Sequence, residues 1–214
     1  MIHTHRLLTA AALVLAVATP ALAGPPLLCH PFDIGTAKSL PWDGTSGWSQ
    51  GRAGYDLKEL VADTEALLQP STPVIVRMET LRRAAIYASR DATVAGALVD
   101  RLSAKARANA AAPDTLAALD AAYLIEALRQ VTMLEQSAEF RDRVPGVRQV
   151  LRGHEAAPLL AQAVQARPAD PSVAFAAALI AMGADKPAYG GYAARARAGA
   201  AQDPLLARNI KHLS

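Results

Sequence analysis

From Tyr55 onward, apolar side chains return every three or four positions, and no convincing run alternates with period two. That pattern restricts the body of the chain to helices. The cleanest stripe is Val74, Met78, Leu81, Ala85 and Ala88, on a helix that Thr72 can cap and Pro73 can open. Before it, Asp56 and Glu59 have the spacing of a capping box, and Leu57, Leu60, Val61, Thr64, Leu67 and Leu68 share a face that ends at Pro70. Asp91 starts a third helix, with Val94, Leu98, Leu102 and Ala106 in line. Pro113-Asp114 opens a fourth, running to about Ser137. Its two adjacent apolar rows (Leu116, Leu119, Tyr123 and Leu124, Leu128, Val131) predict a central helix packed on more than one side. Further helices are expected over 154–167, 171–183, 188–201 and 204–212. Short connections favour antiparallel hairpins, so the expected fold class is all-α, a bundle or a short repeat array.

The first 54 residues read differently. Arg6 precedes the apolar run Leu7 to Ala18, which is too short to span a bilayer. Pro20 and Ala21-Leu22-Ala23 then supply a helix break and a small-residue cleavage site, so residues 1–23 read as a secretory signal peptide cut after Ala23. The expected location is periplasmic or secreted. Residues 24–54, rich in Gly and Pro, form an irregular arm ahead of a helical domain over 55–214.

Removing 23 residues from 214 leaves 191, enough for one ordinary domain or two small ones. The remaining charge balance is 21 basic against 19 acidic side chains. Near-neutral charge and export together argue against a nucleic-acid partner. No later segment has the apolar length of a transmembrane helix. Charge is uneven: residues 24–139 carry 11 basic and 14 acidic groups, residues 140–214 carry 10 and 5. The single cysteine, Cys29, excludes an intrachain disulfide.

Two stretches carry a resemblance. Cys29-His30-Pro31-Phe32-Asp33-Ile34-Gly35, continuing through Lys38 to Ser39-Leu40-Pro41-Trp42, resembles the N-terminal signature of a family of uncharacterised bacterial exported proteins, as does Arg77-Met78-Glu79-Thr80-Leu81-Arg82-Arg83-Ala84-Ala85. The resemblance implies export and brings no activity. Separately, Asp170-Pro171 and Asp203-Pro204 lie 33 residues apart, with Gly183 near the turn. The span Ala169 to Pro204 thus resembles a tetratricopeptide-type hairpin with an overlong turn over 184–191 and without the expected large aromatic.

Candidate chemistry is sparse. Cys29 and His30 offer a thiol and an imidazole, but adjacent residues rarely chelate one metal, and His154 could join only through the fold. Phe32, Trp42, Trp48 and Tyr55 place four of ten aromatics in or beside the arm, where they either line a cleft or latch the arm onto the helices. Trp42 and Trp48, together with Arg77, Glu79, Arg82 and Arg83 on one helix, are candidates for a binding surface. Glu126 and Arg129 stand three apart on the central helix. No phosphate loop, nucleophile elbow or zinc helix occurs, no cofactor is expected, and no catalytic residue is assigned. The expectation is an exported interaction or scaffold module binding a protein or peptide. The alternative is a thiol- or metal-dependent protein using Cys29 and His30, and a third is a hydrolase using Glu79, Glu126 or His154.

Overall fold

The computed structural model describes residues 26–43, 47–109, 116–182 and 185–213. The expected signal peptide, the Pro113-Asp114 helix start and Gly183 lie outside these. Among the described residues there are nine α-helices and no strand: α1 (Leu60–Leu67), α2 (Val74–Ala88), α3 (Ala92–Ala108), α4 (Ala117–Val131), α5 (Val144–Val150), α6 (Ala156–Ala166), α7 (Pro171–Ala181), α8 (Lys186–Gly199) and α9 (Pro204–Asn209). The all-helical class expected from the sequence is therefore the class observed.

Local chemistry sets most boundaries. Asp91, Asp170, Asp185 and Asp203 each accept amide hydrogens from the first turn of the helix they precede. Pro171 and Pro204 then fill first-turn positions where no amide is needed. Asp56 caps a 3-10 turn, Leu57–Glu59, and α1 begins only at Leu60. Thr72 does not cap α2; its hydroxyl donates backwards to the Leu67 carbonyl at 2.8 Å. The sequence pattern missed α5, whose Pro145 and Gly146 resemble a turn over so short a helix.

The core is built around α2, α4 and α7. Helix α4 packs on α2, α3 and α6, and α7 runs along α8 in a tight pair. The two apolar rows of α4 are both buried, as a central helix requires. Helix α2 departs from its amphipathic reading. Every residue from Val74 to Ala88 except Arg83 is buried, Arg77, Glu79 and Arg82 included. Arg77 is covered separately, against Asp120 of α4 and the carbonyls of Gln69 and Thr72. The arm packs over the side of α2 that carries Glu79, Arg82 and Arg83 and sinks Leu27, Leu28, Phe32 and Leu40 into the same core. Each of these four contributes about 1.5–3 kcal/mol on full burial, an upper bound set by the extended reference chain.

Glycine matters at one close approach. A Cβ on Gly51 would sit 2.3 Å from the Tyr87 ring, so the arm can cross α2 there only without a side chain. No described helix is long and apolar enough to cross a membrane.

Candidate functional site

The residues singled out from sequence divide into an interior network and an open cleft. Glu79 sits at the centre of the first. Its Oε2 accepts from Arg82 Nε at 2.8 Å and from the Phe32 amide at 3.0 Å, while Oε1 accepts from Arg82 Nη2 at 2.9 Å and Arg83 Nε at 2.7 Å. The two guanidiniums reach onward to arm carbonyls. Arg82 Nη1 donates to Leu28 (3.1 Å) and Trp48 (2.8 Å), and Arg83 Nη1 donates to Leu40 (2.6 Å). Irregular backbone has no ladder to satisfy its carbonyls, so these charged side chains take the place that a neighbouring strand would fill. Burial alone would raise the Glu79 carboxyl, but hydrogen bonds and charge from Arg82 and Arg83 outweigh it and hold the group below its ordinary value.

The arm's aromatics follow the same face. Trp42 packs edge-on against Tyr87 at 5.7 Å, with the Arg82 guanidinium 4.9 Å from its ring centre. Trp48 stacks on Phe140 at 5.7 Å, nearly parallel. The Tyr87 hydroxyl donates to the Pro41 carbonyl at 2.6 Å and accepts from the Arg52 amide at 2.7 Å. Arg77 lies apart from this group, donating to Asp120 on α4 and to the carbonyls of Gln69 and Thr72.

The structure leaves little of these residues open as a surface. Arg77, Glu79 and Arg82 are at most 1% exposed, Arg83 is only partly exposed, and Trp42 and Trp48 are turned into the fold. Glu79, Arg82 and Arg83 do share one face of α2, and the arm covers it; Arg77 is on a different side, against Asp120 of α4.

Cys29 and His30 lie half-buried at the start of the arm. Burial pushes the Cys29 thiol up to about 11, only partly offset by the charge of Arg82, so it is protonated at neutral pH. His154 does not join them; its Nε2 lies 3.7 Å from Asp100 on α3. His30 instead faces His212 near the C-terminus, with ring centres 6.0 Å apart. Sequence reasoning had no means of finding that partner, since nothing local links positions so far apart. Among the described residues no group of three or more His, Cys, Asp and Glu side chains could hold a metal ion.

The open feature lies elsewhere. Helices α4, α6, α7 and α8 enclose a cleft of about 290 Å³, with Leu160, Ile180 and Tyr192 contributing apolar surface and Glu126, Arg129 and Glu155 among its polar groups. Other depressions differ in lining; the one beside Glu65, Arg101 and Lys105 has only Ala104 and Ala108 as apolar residues. Arg129 donates to Glu126 at 2.6 Å and lies 3.6 Å from Glu155, while Asp185 adds a third carboxylate. Burial raises the Glu126 carboxyl despite its bond to Arg129. The Glu126–Arg129 pair was legible as an i,i+3 spacing. Glu155, Leu160 and Tyr192 were not, because only the packing of α6 and α8 against α4 assembles them.

Fold and site together define an all-helical protein with an internally anchored arm and an open, carboxylate-rimmed cleft. No family model, curated protein or solved structure matches the chain significantly.

Proposed function

We propose that this protein is an exported helical interaction module, with residues 1–23 as its leader, and that it binds a segment of a protein or peptide in the α4/α6/α7/α8 cleft. One observation carries the reading. The aromatic rings of the arm and the charged Arg77, Glu79 and Arg82 of α2 are engaged inside the fold, whereas the cleft offers apolar carbon beside charged groups that still face water. Its described side chains set three carboxylates, Glu126, Glu155 and Asp185, against one guanidinium, Arg129. The complementary ligand is a segment with an apolar side chain next to a basic one. Desolvation of Glu126 supports the same choice, because an arriving cation would stabilise the charge that burial disfavours.

Fluorescence anisotropy with labelled decapeptides of alternating Leu and Lys, or Leu and Glu, tests this. The Lys peptide should bind at least about 10-fold more tightly at low salt, and Glu126→Gln with Glu155→Gln should remove that preference. Equal binding of the two peptides, or tighter binding of the Glu peptide, would refute the charge argument. Binding unaffected by Leu160→Asp would show that the cleft is not the site.

A further inference from the structure

The arm is anchored at a second place, remote in sequence from α2. Asn209 of α9 pairs with the Asp33 backbone in both directions: its Oδ1 accepts from the Asp33 amide at 2.8 Å, and its Nδ2 donates to the Asp33 carbonyl at 2.9 Å. Three residues on, His212 packs against Phe32 (ring centres 5.2 Å) and His30 (6.0 Å), and Phe32 meets the Phe175 ring of α7 at 6.0 Å. The Nε2 atoms of both histidines are buried without a hydrogen-bond partner. A buried imidazole tolerates this while neutral, whereas an imidazolium would place an unsatisfied donor and a charge there.

We propose that His30 and His212 form an acid-sensitive clasp that holds the C-terminal segment 204–213 on the arm and releases it when the rings are protonated.

The charges around the pair favour this direction. His30 opposes protonation of His212, and Lys211 opposes it from the same C-terminal turn. Glu79, on α2, is the carboxylate that acts on His212 in the opposite sense, and it is already bound by Arg82 and Arg83. At the edge of the contact Asp33 is balanced by Arg208 at 3.6 Å, and the Cys29 thiol is neutral. Helix α7 presents the apolar Phe175 ring. Burial, reinforced by the neighbouring His30, lowers His212 from 6.5 to about 4, and burial lowers His30 as well. A group whose folded value is depressed gives stability that is fully present above its ordinary value and lost as pH falls. The window therefore runs from about 6.5 down to about 4. Between pH 7.5 and 4.5, His212 alone shifts the closed-to-open ratio roughly 70-fold toward open, given its two values.

Hydrogen exchange on the full chain, corrected for intrinsic rates, tests the clasp, together with NMR titration of the histidine ring protons. Exchange in 204–213 should accelerate between pH 7.5 and 4.5 by tens of fold while α4 stays protected, and His30→Phe with His212→Phe should abolish the difference. If the double variant fails to fold, the wild-type titration decides: a His212 midpoint near 4.5 or below supports the clasp, and one near 6.5 overturns it. Protection of 204–213 that is unchanged at pH 4.5, or acceleration that persists in the folded double variant, would also overturn it.

Discussion

Replacing Glu79 by Ala tests whether the arm is held by charge or only by its leucines. The substitution removes four hydrogen bonds at once: two from Arg82, one from Arg83 and one from the Phe32 amide. Arg83 is 18% exposed at its side chain and can turn toward water, so its loss is partly made good by solvent. Arg82 cannot, being fully buried. The largest cost is therefore one uncompensated interior guanidinium, and removing one partner of a buried pair costs about 3–5 kcal/mol. That is a large share of the roughly 5–15 kcal/mol by which a domain is stable. Glu79→Gln keeps the shape and one acceptor oxygen but loses the charge, so about 2–3 kcal/mol is expected. Urea denaturation provides the assay because both tryptophans, Trp42 and Trp48, lie in the arm. Fluorescence therefore reports the arm, while far-ultraviolet circular dichroism reports the helices. The Glu79→Ala fluorescence midpoint should fall at least as far as the dichroism midpoint. A loss below about 1 kcal/mol for Glu79→Ala would refute the argument, since a buried guanidinium stripped of its carboxylate cannot be that inexpensive.

Two further outcomes follow from other contacts. Gly51→Ala forces a Cβ into the Tyr87 ring, and thermal denaturation should show a loss of about 1–3 kcal/mol, with a change in tryptophan emission as the arm shifts; an unchanged melting temperature would contradict the close approach. Cys29, with its thiol raised from 9.0 to about 11, should react with Ellman's reagent at pH 7.5 at least about 100-fold more slowly in the folded protein than in urea. Equal rates would place the thiol in the nucleophilic role that its burial argues against.

How far the sequence revealed this molecule depends on the distance over which each feature is written. Helices are local: the Asp caps before α3, α7 and α9 and the 4, 3, 4, 3 spacing in α2 could be read from neighbouring residues, because capping and periodicity act within a turn or two. Helix α5 was hidden because seven residues containing Pro145 and Gly146 give too little period to outweigh their turn character. The site was less legible for a different reason. Glu79, Arg82 and Arg83 look the same on paper whether their face meets water or a covering segment, since patterning records polarity and not what satisfies it. The composition of the arm narrows that ambiguity. A stretch of some thirty residues without helical period has few internal partners for its carbonyls, such as the Ala37 amide on Ile34, so an ordered arm needs donors from elsewhere. Arginine is the side chain that can reach several of them at once, with five N–H groups on a rigid plane. An aromatic, Gly-rich arm in the same chain as an Arg-rich helix face is therefore itself a signature of covering. The carboxylate within that face, Glu79, then has a definite role: without it Arg82 could not enter the interior, and the carbonyls of Leu28 and Trp48 would lose the donor that orders the arm.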